Sequence, residues 1–139
     1  MEPVGATMTD QKFVYKNDAH MLKDRMYSLY IYLDLAAKHI RMTGPEFEET
    51  YQWVRVAEVN ADQAAKHCSG LDGCTDQLHA IRGLRNRLDE ASDDFADALI
   101  FDIGLGESKL REKYEQPLKN FRAITKEIIA ALINAHAIE

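Results

Sequence analysis

Glycine and proline punctuate this chain at three places, and between them lie four runs whose apolar residues recur at helical spacing. Gly44-Pro45 forms the first break, Gly70 and Gly73 bracket the second, and Gly104 and Gly106 make the third. A chain that turns back between helices needs such residues: glycine reaches backbone angles closed to others, and proline opens a helix at its first position. No run alternates apolar and polar residues for long enough to make a strand. The pattern predicts an all-α fold, an antiparallel four-helix bundle with short loops.

The first run, with Asn17 or Asp18 offering an N-cap oxygen, carries Leu22, Met26, Leu29, Leu33, Ala36, Ala37 and Ile40 at three- and four-residue steps. The second, from about Pro45 to Ser69, turns inward Phe47, Tyr51, Val54, Ala57, Ala61, Ala64, Ala65 and Cys68. That large-to-small gradient predicts close backbone approach near its C-terminal end. After a turn capped by Asp72, the third run carries Cys74, Leu78, Ile81, Leu84, Leu88, Ala91, Phe95 and Leu99. The fourth begins at Glu107 or Ser108 and carries Leu110, Tyr114, Leu118, Phe121, Ile124, Ile128, Leu132 and Ala135. Pro117 falls inside it. Its missing amide and its ring predict a fourth helix kinked or broken near Pro117, around Tyr114 to Gln116. Residues 1–17 show no period and read as a mobile N-terminal tail, which leaves 18–139 as a single bundle domain. The pairs Asp34–Lys38, Asp62–Lys66, Glu107–Arg111 and Glu115–Lys119 stand at i,i+4 and mark solvated faces.

A length of 139 residues supports one domain around one core. With 17 Lys+Arg against 23 Asp+Glu, the formal charge of −6 argues against a general nucleic-acid binder, which needs a basic face. No apolar stretch approaches the length of about 18 residues that spans a membrane, so no membrane association is expected. Met1 to Asp10 lack the basic and apolar segments of a secretory signal. A cytoplasmic protein with Cys68 and Cys74 as free thiols is therefore expected.

Few residues nominate chemistry. His67, Cys68, Cys74 and His79 bracket the second turn and are zinc-ligand types, but their spacing matches no zinc pattern. His67 and Cys68 are also neighbours on a helix, so their side chains diverge by about 100°. No metal and no cofactor is expected, with a metal-binding sensor at this turn kept as an alternative. No Glu stands three residues before any histidine, as a di-iron bundle requires, and no Gly-rich phosphate loop or Gly-x-Ser-x-Gly elbow occurs. Nothing pairs a nucleophile with a base, and the chain reads as non-enzymatic.

The third run does carry a charge feature. Asp89, Glu90, Asp93, Asp94, Asp97 and Asp102 occur with no base between 89 and 102. Leu88, Phe95 and Leu99 fix the inner face, so the acids should form an outward ridge suited to a protein partner with a basic surface. Just before it stand Arg82, Arg85 and Arg87. The segment Ile81-Arg82-Gly83-Leu84-Arg85-Asn86-Arg87-Leu88 resembles the Leu-Arg-Asn segment of HEPN-type helical bundles. The resemblance implies a nucleic-acid-associated bundle with these arginines at the contact. In that family an Arg and a His four to six residues apart cut RNA. Here Asp89 to Asp94 follow and no His does, so the resemblance implies a catalytically inactive member.

A surplus of apolar residues points elsewhere. The first helix has a second stripe, Tyr27, Ile31 and Leu35, about 140–180° from the first, widened by Tyr30 and Tyr32. The fourth helix adds Ile129 and Ile133 beside Ile128 and Leu132. A bundle helix needs one stripe of about 100°. The expected outcome is a homodimer formed through the first helix, unless Phe13 and Tyr15 cover the stripe within one subunit. The sequence thus reads as a binding or regulatory protein acting through protein–protein contacts: an inhibitor, antitoxin, adaptor or assembly subunit.

Overall fold

The four apolar runs are four helices: α1 (Asp10–His39), α2 (Glu46–Cys68), α3 (Thr75–Leu99) and α4 (Glu107–Asn134). This computed structural model describes the backbone over 10–40 and 46–139, and side-chain surroundings over 18–40 and 47–139. Among the described residues there is no strand, and no helix is long and apolar enough to cross a membrane.

Cross-helix contacts set the topology. Asp18 of α1 meets His67 of α2, and Arg25 meets Asn60, so these two helices run in opposite directions. Between α2 and α3, Phe47 packs on Phe95 while Asp62 meets Arg85, again antiparallel. The start of α4 lies beside the end of α3, where Tyr114 packs on Phe95, and α4 returns along α1, where Arg122 meets Asp34. The result is an up-down-up-down ring in which α1–α2 is the most extensive interface and α3–α4 the least. The alanines of α2 account for the first: Ala57, Ala61 and Ala64 are fully buried, and small side chains let helix axes approach.

The inner face of α1 is as expected, with Leu22, Met26, Leu29, Leu33, Ala36, Ala37 and Ile40 all at 0% exposure. Elsewhere the core departs from the expected pattern both at helix ends and within helices. Leu99 and Ala135 are exposed, and Tyr51, Leu78 and Ile124 are only half-buried. Ile129, read as surplus, is buried, whereas Ile133 stays exposed.

Three expected boundaries move. The helix of α1 opens at Asp10, so Asn17 and Asp18 are not its cap and residues 10–17 continue the same helix. Asp18 instead serves tertiary structure, its Oδ1 3.0 Å from His67 Nδ1. Gly70 follows from that contact, because a Cβ there would stand 2.6 Å from the Asp18 carboxylate. Cys74 rather than Asp72 is the N-cap of α3, with no side-chain cap bond. The α4 helix runs unbroken across Pro117. A break is avoided because Tyr114 on one side and Leu118 on the other are both buried in the same core.

At one end of the ring Phe95 lies between Phe47 and Tyr114, with ring centroids 5.2 and 5.7 Å away, and joins α2, α3 and α4. Phe95→Ala should therefore cost about 3–5 kcal/mol in urea unfolding. Phe101→Ala, in the exposed loop after α3, should change stability by no more than about 0.5 kcal/mol.

Candidate functional site

The acids of α3 do not form one free ridge. They divide between the two flanks of the helix. Asp94 faces α4, where its Oδ2 accepts hydrogen bonds from Lys113 Nζ at 2.7 Å and from the Tyr114 hydroxyl at 2.5 Å. Burial pushes the Asp94 carboxyl up, but those two bonds outweigh it and leave its pKa lowered. Asp94 is thus a clasp between α3 and α4. Asp97 backs onto the following loop, its Cβ 3.4 Å from where a Cβ on Gly104 would stand. Glu90 remains exposed; the Lys113 pKa is raised chiefly by its hydrogen bond to Asp94, with Glu90 adding to the effect. A second clasp, between α4 and α1, holds Asp34 against Arg122 at 2.6 Å and Lys38 at 2.9 Å.

Asp89 and Asp93 turn the other way, toward α2, and line a cleft of about 250 Å³ with Arg55, Glu58, Asp62 and Ser92. The antiparallel register arranges this cleft as three rungs. Arg85 of α3 bridges to Asp62 of α2 at 3.1 Å, which takes Asp62 away from its expected partner Lys66. Next comes Glu58 opposite Asp89, two acids within hydrogen-bonding reach of each other. Beyond them Arg55 lies level with Ser92 and Asp93. Burial raises the Glu58 pKa, and the Asp89 carboxyl raises it further, against weaker opposing effects of Ser92 and Arg55. Of the remaining i,i+4 pairs, Glu107–Arg111 forms at 3.7 Å, and among the described residues Glu115 and Lys119 make no ion pair.

The other sequence candidates separate. Arg85 is engaged by Asp62 and Asn86, while Arg82 and Arg87 are exposed. Arg85 and Arg87 stand about 200° apart around the helix, so the three arginines present no common basic face. At the α2–α3 turn the four zinc candidates are not brought together: His67 is turned to Asp18, His79 is exposed, and among the described residues no group of three or more metal-ligand types converges. Cys68 and Cys74 are buried free thiols. Burial, together with Cys74 beside it, pushes the Cys68 thiol up to about 11, a poor nucleophile.

On α1, Ile31 is 54% exposed and Tyr27 40%, while Leu35 is half-buried and Tyr30 and Tyr32 pack against the core. Phe13 and Tyr15, expected as an alternative cover for the stripe, belong to the same helix, and their side chains lie outside the described residues. At 1.5 Å per residue they lie roughly 18 Å or more along the axis from Tyr27. Two valines of α2 were not anticipated: Val59, 52% exposed, and Val56. The register set by Arg25–Asn60 and His39–Trp53 places them at the height of Ile31. Also missed was the loop after α3, where Ile100, Phe101 and Ile103 are exposed. An apolar run continuing past the last helical step was its signal. Comparison with protein-family models, curated proteins and solved structures finds no match to this chain.

The carboxyl pair has a measurable consequence. A folded-state pKa above the unfolded one favours the protonated acid, so Glu58 weakens the fold at neutral pH and the penalty fades as pH falls toward its unfolded pKa. Asp94 and Asp34 act oppositely: their lowered pKa values stabilise the fold above the usual carboxylate range, and that stability is lost below it. Glu58→Gln should raise the melting temperature at pH 7, with the gain shrinking toward pH 4.5. Asp94→Asn should lower it at pH 7 and have little effect at pH 2, both read by circular dichroism.

Proposed function

We propose that this bundle is a non-enzymatic binding or regulatory protein that works as a homodimer joined through the outer face of α1. The observation that carries the reading is the exposure of Tyr27 and Ile31 on the side of α1 away from the core, at the height of exposed Val56 and Val59 on α2. Large apolar side chains exposed together on one helix face mark an interaction site. A twofold contact suits it, because one patch then covers itself in both copies. The acids of α3 that stay exposed, Asp89, Glu90 and Asp93, lie on a different helix and are left for a second protein with a basic surface.

Sedimentation velocity at micromolar concentration tests this directly. The wild-type chain should sediment as a dimer, and Ile31→Glu as a monomer with unchanged helix content. A wild-type chain that remains a monomer at that concentration contradicts the proposal.

A further inference from the structure

The middle rung of the α2–α3 cleft is chemically incomplete. Its neighbours match charge or polarity across the helices, Asp62 with Arg85 and Arg55 beside Ser92 and Asp93, but Glu58 and Asp89 set acid against acid. Ser92 adds an independent observation. Its side chain lines the same cleft at 3% exposure, and its Oγ makes no hydrogen bond of normal geometry, although it lies close enough to Glu58 to lower that carboxyl's pKa. Buried hydroxyls are nearly always satisfied, and one that is not calls for an explanation in strain, an ordered water, an ion or a ligand. Arg55 makes no close ion pair among the described residues and only partly offsets the charge of Glu58, whose pKa stays raised.

We infer that this cleft receives one primary ammonium group, seated between the Glu58 and Asp89 carboxylates. An ammonium has three donors, two for the carboxylates and one for the Ser92 oxygen once Glu58 shifts toward the charge. This deepens the proposed reading of the α3 acids and rests on it for the source of the group, which is then a lysine side chain of the basic partner. Glu58 faces Asp89, Ser92, Asp93 and Arg85 from α3 and has Arg55 and Asp62 beside it on α2. Because both acids must be ionised to hold the cation, binding weakens as pH falls through the raised Glu58 pKa.

The test uses the full chain, labelled with carbon-13, titrated with n-butylammonium chloride at constant ionic strength and neutral pH. Side-chain carboxyl shifts of Glu58 and Asp89 should change and saturate. Tetramethylammonium, which donates no hydrogen bond, should bind about tenfold or more weakly. Asp89→Asn should abolish the response, and Ser92→Ala should weaken it by a few-fold with helix content unchanged. A capped lysine peptide binding at least as well as n-butylammonium identifies a protein side chain as the source, whereas tighter binding of spermidine identifies a free polyamine. Either supports the cleft, and the second removes the basic-partner reading while leaving self-association intact. Equal, non-saturating shifts from both ammonium salts mean ionic screening only and overturn the inference.

Discussion

A ring of four helices has one interior, and each helix can contribute only one stripe to it. That constraint organises the molecule. Leu22 through Ile40 of α1, the alanines of α2, Ile81 through Phe95 of α3 and Leu110 through Leu132 of α4 fill the shared centre. With those positions committed, any further apolar residue on the same helix must face water. On α4 the surplus is partly absorbed, since Ile129 sits at the edge of the core. On α1 it is not, because Tyr27 and Ile31 lie on the side away from both neighbouring helices.

Charges follow from the same geometry. Helix flanks, not helix backs, meet across a ring, so acids on α3 sort by flank. Asp94 turns to α4, where Lys113 neutralises it and the Tyr114 hydroxyl donates it a hydrogen bond, while Asp89 turns to α2 and meets another acid. Asp34 and Asp18 are likewise consumed in joining α1 to its two neighbours. Most ion pairs here are partly exposed and contribute little stability singly. Their effect is register, and the register places Glu58 opposite Asp89.

Much of this was legible in the sequence, and the limits have physical causes. Helical periodicity with Gly and Pro breaks identified four helices, because period reports which residues share a face. It does not report which neighbour lies beside a flank, and so Asp89, Asp93 and Asp94 read as one ridge although they serve two different interfaces. Arg55, Glu58 and Ser92 went unnoticed for the same reason: they become a site only once α2 and α3 are set antiparallel. The N-cap assigned to Asp18 failed because a short polar side chain can cap a helix or clasp another one, and local sequence does not choose between them. Of the kink or break expected at Pro117, the break does not occur, because residues on either side are buried in one core: tertiary packing overrides a local preference.

The account stands on the outer face of α1 being covered by a second copy. Isotope-filtered NOE spectra of a mixed sample, half carbon-13-labelled and half unlabelled, test that contact atom by atom. The account predicts intermolecular NOEs from the Ile31 methyls and the Tyr27 ring. A sample with none from these residues, while methyls of the buried core give their expected intramolecular NOEs, would contradict it.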